Sequence, residues 1–165
     1  MSDSRKLANE LLSEETPKVS IICITYNHEN FISDALRGFI NQKTNFVFEA
    51  IIADDCSTDK TSVIIEKYAK EYPKIIKPIY RNKNLGPVPN YRDAVSRAKG
   101  KYLAICDGDD YWTDDYKLAK QVEFLDNHPD FSMCCHPFIQ TYVDHSFPDR
   151  IISPWDLVSE ETKKL

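Results

Sequence analysis

The sequence lacks the features that would place the protein on a nucleic acid or inside a membrane. Its 165 residues include 21 basic and 26 acidic side chains, a net charge of −5, whereas binding along a nucleic-acid backbone needs clustered Lys and Arg. No apolar run approaches the roughly 20 residues that cross a bilayer, and residues 1–18 contain no apolar stretch typical of a secretion signal. We therefore expect a cytoplasmic protein with no nucleic-acid partner and no transmembrane segment.

The cysteines also lack the spacing of a metal or redox site. There are five, at positions 23, 56, 106, 134 and 135, and no two of them form a Cys-x-x-Cys pair. Cys134, Cys135 and His136 offer thiolate and imidazole groups, but adjacent residues on a strand point to opposite faces. Reduced and mostly buried thiols are therefore expected, in preference to disulfides or zinc ligands.

Short apolar runs alternate with segments of helical period. Five runs rich in β-branched or aromatic residues are predicted as strands, at residues 19–24, 48–53, 75–80, 101–106 and 131–136. Four segments with apolar residues at helical spacing lie between them, at residues 27–42, 59–72, 87–99 and 113–127. Such alternation builds a mainly parallel sheet with helices on both faces, so the predicted fold class is α/β.

Individual residues refine this prediction. Asn27 or Asn30 can cap the first helix through a side-chain oxygen. Val63 is expected to face the core from the second helix. Pro78 cannot donate a backbone hydrogen bond, so the third strand is expected at an edge of the sheet.

Polar and acidic residues follow three of the predicted strands. Thr25, Tyr26 and Asn27 end the first strand, residues 54–59 (DDCSTD) follow the second, and residues 107–110 (DGDD) follow the fourth. The carboxyl ends of parallel strands lie along one rim of the sheet, where ligands bind in open α/β folds. We therefore expect these three segments to form one site.

Residues 107–110 carry three carboxylates in four positions. Asp107, Asp109 and Asp110 repel one another unless a cation or hydrogen-bond donors hold them. Oxygen-only ligands suit Mg²⁺ or Mn²⁺, and Gly108 permits a tight turn that lets carboxylates face one point. A solvated acidic turn at a helix start is the alternative, but the position directly after a buried strand favours a metal site.

The acids after the second strand suit a nucleoside. One carboxylate of the Asp54–Asp55 pair could accept a hydrogen bond from a nucleobase N–H, and the other from a ribose hydroxyl or the backbone. The alternative is a helix cap whose acids complement the helix dipole, which is also sufficient for Asp59. Tyr26 could stack on a base, or be a buried aromatic with its hydroxyl satisfied.

Four segments, in order along the chain, resemble the signatures of family 2 glycosyltransferases. They are VSIICITYN at 19–27, ADDCSTD at 53–59, NLG at 84–86 with AKGKY at 98–102, and CDGDDYWTD at 106–114. They are similar to the opening strand, the acidic pair (with Cys56 where glycine is common), the next block, and the metal-binding Asp-x-Asp block of one bacterial branch. The match covers about residues 18–137.

The resemblance implies a GT-A fold and the inverting transfer of a hexose from a nucleotide-diphosphate donor, with a UDP-sugar favoured. The implied acceptor is a saccharide or lipid-linked saccharide in bacterial cell-envelope polysaccharide biosynthesis, and the implied location is cytoplasmic, at the cytoplasmic face of the membrane. By motif position, Tyr26 and Asp55 contact the base, with Asp54 close by. The implied donor-binding set is Thr25, Tyr26, Asn27, Asp54, Asp55, Asn84, Gly86, Arg92, Asp107 and Asp109. The implied ligands of Mn²⁺ or Mg²⁺ are Asp109, Asp110 and Asp107.

Two features depart from the family pattern. Where many members have an arginine after the Asn-x-Gly block, this chain has Tyr91, followed by Arg92. The catalytic base of the family comes from a later acidic motif, for which the candidates by position are Asp156, Glu160 and Glu161. A solvated helix start is the alternative interpretation of those three acids.

The expected organisation is a polar leader at residues 1–17, a nucleotide-sugar-binding domain at 18–138, and a partial or truncated acceptor-side region at 139–165. Three other functions compete with an active glycosyltransferase. A catalytically incomplete donor-binding module fits the weak base motif. A nucleotidyltransferase would carry a glycine-rich basic loop after the first strand, where this chain has TYNHE at 25–29. A receiver domain would carry paired acids there.

Overall fold

The computed structural model describes residues 16–154, which contain six strands and four helices. In chain order these are β1 (Val19–Thr25), α1 (Ile32–Ile40), β2 (Phe48–Asp54), α2 (Thr61–Glu71), β3 (Ile76–Tyr80), α3 (Pro87–Ser96), β4 (Tyr102–Ile105), α4 (Lys117–Asn127), β5 (Phe138–Gln140) and β6 (Arg150–Ile152). No helix in this part of the chain is long and apolar enough to span a membrane.

The first four strands form one parallel sheet in the order β3-β2-β1-β4. The central strands β1 and β2 pair over their whole length, from Val19 opposite Phe48 to Thr25 opposite Asp54. Pro78 lies on β3, at an edge of the sheet, as its missing N–H predicted. The predicted α/β class with a mainly parallel sheet is therefore confirmed.

Helices cover both faces of this sheet. One apolar cluster contains side chains of α1, α2 and α4, with Phe39, Ile65 and Leu118 all fully or almost fully buried. A second cluster on the other face contains Ala94 of α3, packed with Ile22 and other residues of β1 and β2. Because the helices cover the faces of the sheet, the carboxyl ends of the strands are covered only by the loops that follow them.

Internal hydrogen bonds cover the amino ends of the strands, where β1 and β2 begin. The hydroxyl of Ser20 donates to Oε1 of the buried Glu49 at 2.7 Å, and the amide of Gly100 donates to Ser20 Oγ at 2.9 Å. A Cβ on Gly100 would collide with the backbone of Ser20. At this end of the sheet, Ser20, Glu49 and the amide of Gly100 are therefore hydrogen-bonded within the protein.

The chain divides after Val122 into two compact units. In the second unit, β5 and β6 form an antiparallel pair with Ile139 opposite Ile151. The strand predicted at residues 131–136 is wrong, because that segment has no regular structure and Phe131 packs instead on Phe124, with ring centroids 5.6 Å apart. The domain boundary expected at residue 138 stays a prediction, and residues 1–15 of the expected leader lie outside the described residues.

Several local expectations need correction. Helix α1 begins after Phe31, later than predicted, and the side chain of Asn27 bonds to the loop after β2 instead of capping α1. Val63 is 63% exposed, because Thr61, Ile65 and Tyr68, spaced three to four residues apart, form the face of α2 that packs on the core, and Val63 lies on the opposite side. All five cysteines lie within the described residues, and only Cys23 and Cys106 are buried.

Candidate functional site

Backbone hydrogen bonds join the ends of β1, β2 and β4. The amide of Asp55 donates to the carbonyl of Thr25 at 2.9 Å, and the amide of Gly108 donates to the carbonyl of Ile24 at 2.9 Å. The polar segments that follow these three strands therefore lie along one rim of the sheet. Hereafter "the rim" means these strand ends with the segments 25–31, 54–61 and 107–110, and "the acidic turn" means residues 107–110.

Gly108 lies directly against β1. A Cβ placed on it would be 2.5 Å from Thr25 Oγ1 and 3.1 Å from His28 Nδ1. Thr25 is only 3% exposed, and neither its hydroxyl oxygen nor His28 Nδ1 has a hydrogen-bond partner within residues 16–154. Because buried polar atoms normally have a partner, these two atoms are candidates to bind a water molecule or a ligand beside the acidic turn.

The acidic turn holds three carboxylates close together. Asp107 is half-buried, whereas Asp109 and Asp110 are exposed. Burial raises the pKa of Asp107 above its ordinary value, and repulsion from Asp109 and Asp110 raises it further. Although Asp110 is exposed as a residue, partial desolvation of its carboxyl by neighbouring groups, followed by repulsion from Asp109, also raises its pKa. The ionised turn is therefore unfavourable unless positive charge or hydrogen-bond donors come close.

His28 is a residue of this region that the sequence motifs did not identify. Its Nδ1 atom is buried and lies 3.9 Å from Oδ1 of Asp109. Its carbonyl accepts hydrogen bonds from the amides of Phe31 and Ile32 at the start of α1. The sequence feature that could have identified His28 is its position directly after Asn27, in the segment that follows β1.

The oxygens of the acidic turn fit a hard divalent cation such as Mg²⁺ or Mn²⁺. Within residues 16–154, no group of three or more His, Cys, Asp or Glu side chains is arranged to hold an ion without help. Mg²⁺ is usually bound by one or two carboxylates together with substrate phosphates. The carboxylates of the turn could therefore hold such an ion only together with other ligands, such as phosphate oxygens.

Asn27 fastens the loop after β1 to the loop after β2. Its amide donates to Ser57 Oγ at 2.9 Å, and its side-chain Oδ1 accepts from the amide of Thr58 at 2.8 Å. Ser57 in turn donates its hydroxyl to Asp54. Burial is the main cause of the raised pKa of Asp54, and the hydrogen bonds from Ser57 partly offset it. Asn27 and Asp54 therefore both stabilise the connection between the two loops.

A second pair, Glu29 and Asp59, connects the same two loops. The amide of Glu29 donates to Asp59 Oδ2 at 3.0 Å, and the amide of Lys60 donates to Glu29 Oε2 at 3.0 Å. The other oxygen of Asp59 accepts from the amide of Thr61 at 2.9 Å, at the start of α2. Each carboxylate thus binds backbone amides of the other loop, which fixes the two loops relative to each other.

Asp55 is buried and binds a third segment of the rim. Its two carboxylate oxygens accept from the amides of Leu85 and Gly86, both at 2.8 Å. Asn84 Oδ1 also accepts from the amide of Gly86, at 3.0 Å. The turn of residues 84–86, hereafter "the 84–86 turn", is therefore brought to the rim beside the end of β2.

Two further residues predicted to bind the donor are exposed. Tyr26 is 42% exposed at the end of β1, between the buried Thr25 and Asn27, so its ring is accessible to a ligand. Arg92 lies on α3 and is exposed. Tyr91, at the position where the family often has arginine, packs against the second apolar cluster.

Arg81 follows β3, and its side chain binds two residues of α3. It donates through Nε to Asn90 Oδ1 at 2.9 Å and through a terminal nitrogen to Asp93 Oδ2 at 2.7 Å. Asn90 is buried and donates to the carbonyl of Ala53 at 2.9 Å. This network attaches α3 to the end of β2. The three candidates for the base, Asp156, Glu160 and Glu161, lie outside the described residues.

The sequence model described as Glycosyl transferase family 2 matches residues 20–164. The chain belongs to glycosyltransferase family 2. An uncharacterised protein of Mycobacterium tuberculosis is 52% identical over 126 residues, which are 76% of this chain and 36% of that protein. The poly(ribitol-phosphate) beta-N-acetylglucosaminyltransferase TarS of Staphylococcus aureus is 34% identical over 114 residues, 67% of this chain and 19% of that protein. The chain thus spans only about a third of the length of the mycobacterial relative.

Solved structures agree with this family. S. aureus TarS in complex with UDP has a TM-score of 0.60 at 34% identity, over 68% of this chain and 33% of that chain. The mannosyltransferase PcManGT from Pyrobaculum calidifontis, solved with GDP-Man and Mn²⁺, has a TM-score of 0.60 at 23% identity, over 74% of this chain and 39% of that one. At that identity the second likeness shows the fold alone. Together they confirm the GT-A fold expected from the sequence.

Proposed function

We propose that this chain forms the donor-binding part of a glycosyltransferase that moves a hexose from a nucleotide-diphosphate sugar to an acceptor hydroxyl. The observation that carries the proposal is the convergence of three strand ends on one rim, where a buried acid pair lies beside an exposed acidic turn. Membership of family 2 supports sugar transfer. The similarity to TarS, which was solved with UDP, supports a UDP-sugar as the donor.

The proposed roles follow from exposure and chemistry. Tyr26 offers an exposed aromatic face on which a base can stack. Thr25 and Asn27 shape the loop that carries it, and Asp54 holds the loop after β2 in place. The remaining proposed contacts to the nucleoside and diphosphate come from the following residues: Asp55, Asn84, Gly86, Arg92, Asp107 and Asp109.

The acidic turn is the proposed site of Mn²⁺ or Mg²⁺. Asp109 and Asp110 are exposed, so their oxygens are accessible both to an ion and to the phosphates of a donor. Asp107 is half-buried beside them and completes the negative charge of the turn. A bound divalent cation would neutralise charge that develops on the departing diphosphate.

Inversion at the sugar carbon is proposed on the family resemblance. It requires a carboxylate that removes the proton of the acceptor hydroxyl, a contribution of about 10²–10⁴-fold to the rate. Asp156, Glu160 and Glu161 stay candidates by sequence position for that role. The acceptor proposed is a saccharide or lipid-linked saccharide of a bacterial cell envelope, and a cytoplasmic location, at the cytoplasmic face of the membrane, stays a prediction.

The test is calorimetric titration of the chain with UDP, GDP and ADP, each with and without Mn²⁺. We expect UDP to bind more tightly than GDP and ADP, and Mn²⁺ to strengthen its binding. Absence of binding in a folded sample would contradict the proposal. If UDP binds but a UDP-sugar is neither hydrolysed nor transferred, the chain is a donor-binding module and not a complete catalyst.

A further inference from the structure

The imidazole ring of His28 is held beside the acidic turn. The carbonyl of His28 accepts from the amides of Phe31 and Ile32, and its ring meets that of Phe31 edge to face, with centroids 6.5 Å apart. A Cβ on Gly108 would lie 3.1 Å from His28 Nδ1, so the turn approaches this nitrogen closely because residue 108 has no side chain. Contacts on two sides therefore place Nδ1 next to the acidic turn.

The Nδ1 atom of His28 has a hydrogen-bonding capacity that the protein does not use. The atom is buried, has no hydrogen-bond partner within residues 16–154, and lies 3.9 Å from Oδ1 of Asp109. That distance is too long for a hydrogen bond. The side chain of Asp109 is 53% exposed, so a small rotation can close the gap, and hydrogen bonds of a catalytic site often tighten when the ligand binds.

A donor at this place suits a carboxylate that binds a metal. A carboxylate only accepts hydrogen bonds, so a contact with Asp109 requires the tautomer of His28 that carries its proton on Nδ1. Carboxylates that bind a metal are in general hydrogen-bonded by a neighbouring group, which orients them. The repulsion among the carboxylates of the acidic turn gives a donor beside them further value.

We propose that His28 is a positioning residue, which donates from Nδ1 to one oxygen of Asp109 and so directs the other oxygen to the divalent cation. The inference rests on the proposed metal site in the acidic turn. His28 acts through Asp109 and does not bind the ion itself. The loop after β1 thereby contributes to the metal site as well as carrying Tyr26.

The test is calorimetric titration with UDP, with and without Mn²⁺, of the wild type and three variants of His28. His28→Phe keeps an aromatic ring and loses the donor. His28→Asn brings an amide N–H close to the place of Nδ1, whereas His28→Gln brings it close to the place of Nε2. We expect the Phe and Gln variants to lose about 10–100-fold of the Mn²⁺-dependent affinity, and the Asn variant to retain most of it.

His128→Phe is the matched control. Nδ1 of His128 lies 2.8 Å from the carbonyl oxygen of Phe124, and the two rings stack with centroids 4.4 Å apart. His128 is not part of the rim, so the same substitution there should leave the Mn²⁺-dependent affinity for UDP as in the wild type. If His28→Phe does not fold, the comparison of His28→Gln with His28→Asn takes its place.

Two further measurements distinguish positioning from direct binding of the metal. In the Asp109→Asn background, His28→Phe should cause no further loss of affinity, because His28 acts through that carboxylate. Electron spin-echo envelope modulation of Mn²⁺ bound with UDP should show no directly coordinated nitrogen in the wild type.

Three results would overturn the inference. Equal losses of affinity in the Asn, Gln and Phe variants, with lower urea midpoints, would show that His28 only stabilises the loop. A directly coordinated nitrogen would make His28 a ligand of the ion, and additive losses with Asp109→Asn would show that the two residues act separately. A folded wild type without Mn²⁺-dependent binding of UDP would overturn the proposed metal site together with this inference, which distinguishes that failure from the other three.

Discussion

Gly108 and Thr25 approach each other so closely that a Cβ on Gly108 would lie 2.5 Å from the Thr25 hydroxyl oxygen. The contact joins the turn after β4 to the end of β1, next to the buried Nδ1 atom of His28. The position of the acidic turn relative to the rim therefore depends on the absence of a side chain at residue 108.

Gly108→Ala should destabilise the fold and weaken nucleotide binding. Overpacking of this kind costs about 1–3 kcal/mol, because either Thr25 or the turn must move. We expect a lower urea midpoint and, at temperatures where the variant is folded, a weaker Mn²⁺-dependent affinity for UDP.

Gly100→Ala provides the matched control for this prediction. The same substitution there collides with Ser20 at the opposite end of β1, far along the strand from the rim. It should lower the stability but leave the UDP affinity of the folded fraction unchanged. Equal losses of affinity in the two variants would mean that the contact between Gly108 and Thr25 has no special role at the site.

Two substitutions of Asn27 can separate the contribution of its side-chain hydrogen bond to stability from the contribution of its backbone conformation. Its φ of 56° is left-handed, and its Oδ1 accepts from the amide of Thr58. Asn27→Gly keeps the backbone conformation and loses the hydrogen bond, at a cost of about 1 kcal/mol. Asn27→Ala loses the bond and also strains the backbone, at a further cost of about 1 kcal/mol. Urea unfolding should therefore rank wild type above Gly above Ala; an Ala variant as stable as the Gly variant would contradict this interpretation.

The order of the strands and helices in the first unit was predictable, because each element carries its own period. Residues 19–24 were predicted as a strand and β1 covers Val19–Thr25; residues 87–99 were predicted as a helix and α3 covers Pro87–Ser96. The convergence of the acidic segments on one rim followed from the parallel sheet alone. Helix boundaries and the inward-facing residues were predicted less accurately, since Thr61 and Ile65 form the buried face of α2 and Val63 lies on its exposed side.

The contacts within the site were not predictable from local patterns. Asn27 and Asp59 are residue types that cap helices nearby, but each binds a backbone amide about thirty residues away along the chain. The structure places both oxygens of Asp55 on amides of the 84–86 turn, a contact that the sequence did not predict, while its expected contact to a base stays a prediction. Such pairings depend on where loops from neighbouring strands meet in space, which composition and periodicity do not encode.

Asp93 should make the stability depend on acid. Hydrogen bonds and charge from Arg97 and then Arg81 hold its pKa below the ordinary value of 3.8. The folded state therefore favours the ionised form: the stabilisation is complete above the ordinary pKa and is lost as the pH falls through the lowered one. Asp93→Asn should lower the urea midpoint at pH 7, and the difference in midpoint from the wild type should narrow as the pH falls below the ordinary pKa of 3.8. If the difference in urea midpoint between Asp93→Asn and the wild type does not change with pH, the ionised Asp93 carboxylate does not provide this stabilisation.

Substitutions of the carboxylates in the acidic turn should weaken nucleotide binding without lowering the stability of the fold. Asp109→Asn and Asp110→Asn each remove a proposed metal ligand, so the Mn²⁺-dependent part of the UDP affinity should fall by roughly tenfold or more. Without metal, Asp110→Asn also removes burial cost and repulsion from Asp109, so its urea midpoint should equal or exceed that of the wild type.

Asp114→Asn is the control for both variants, because Asp114 binds Lys120 at 2.7 Å and is not among the proposed ligands. It should retain Mn²⁺-dependent binding of UDP. A loss of affinity in Asp110→Asn together with a lower midpoint would point to misfolding, whereas lost affinity with retained or greater stability assigns the carboxylate to the ion. Retained Mn²⁺ dependence in both ligand variants would place the metal elsewhere on the rim.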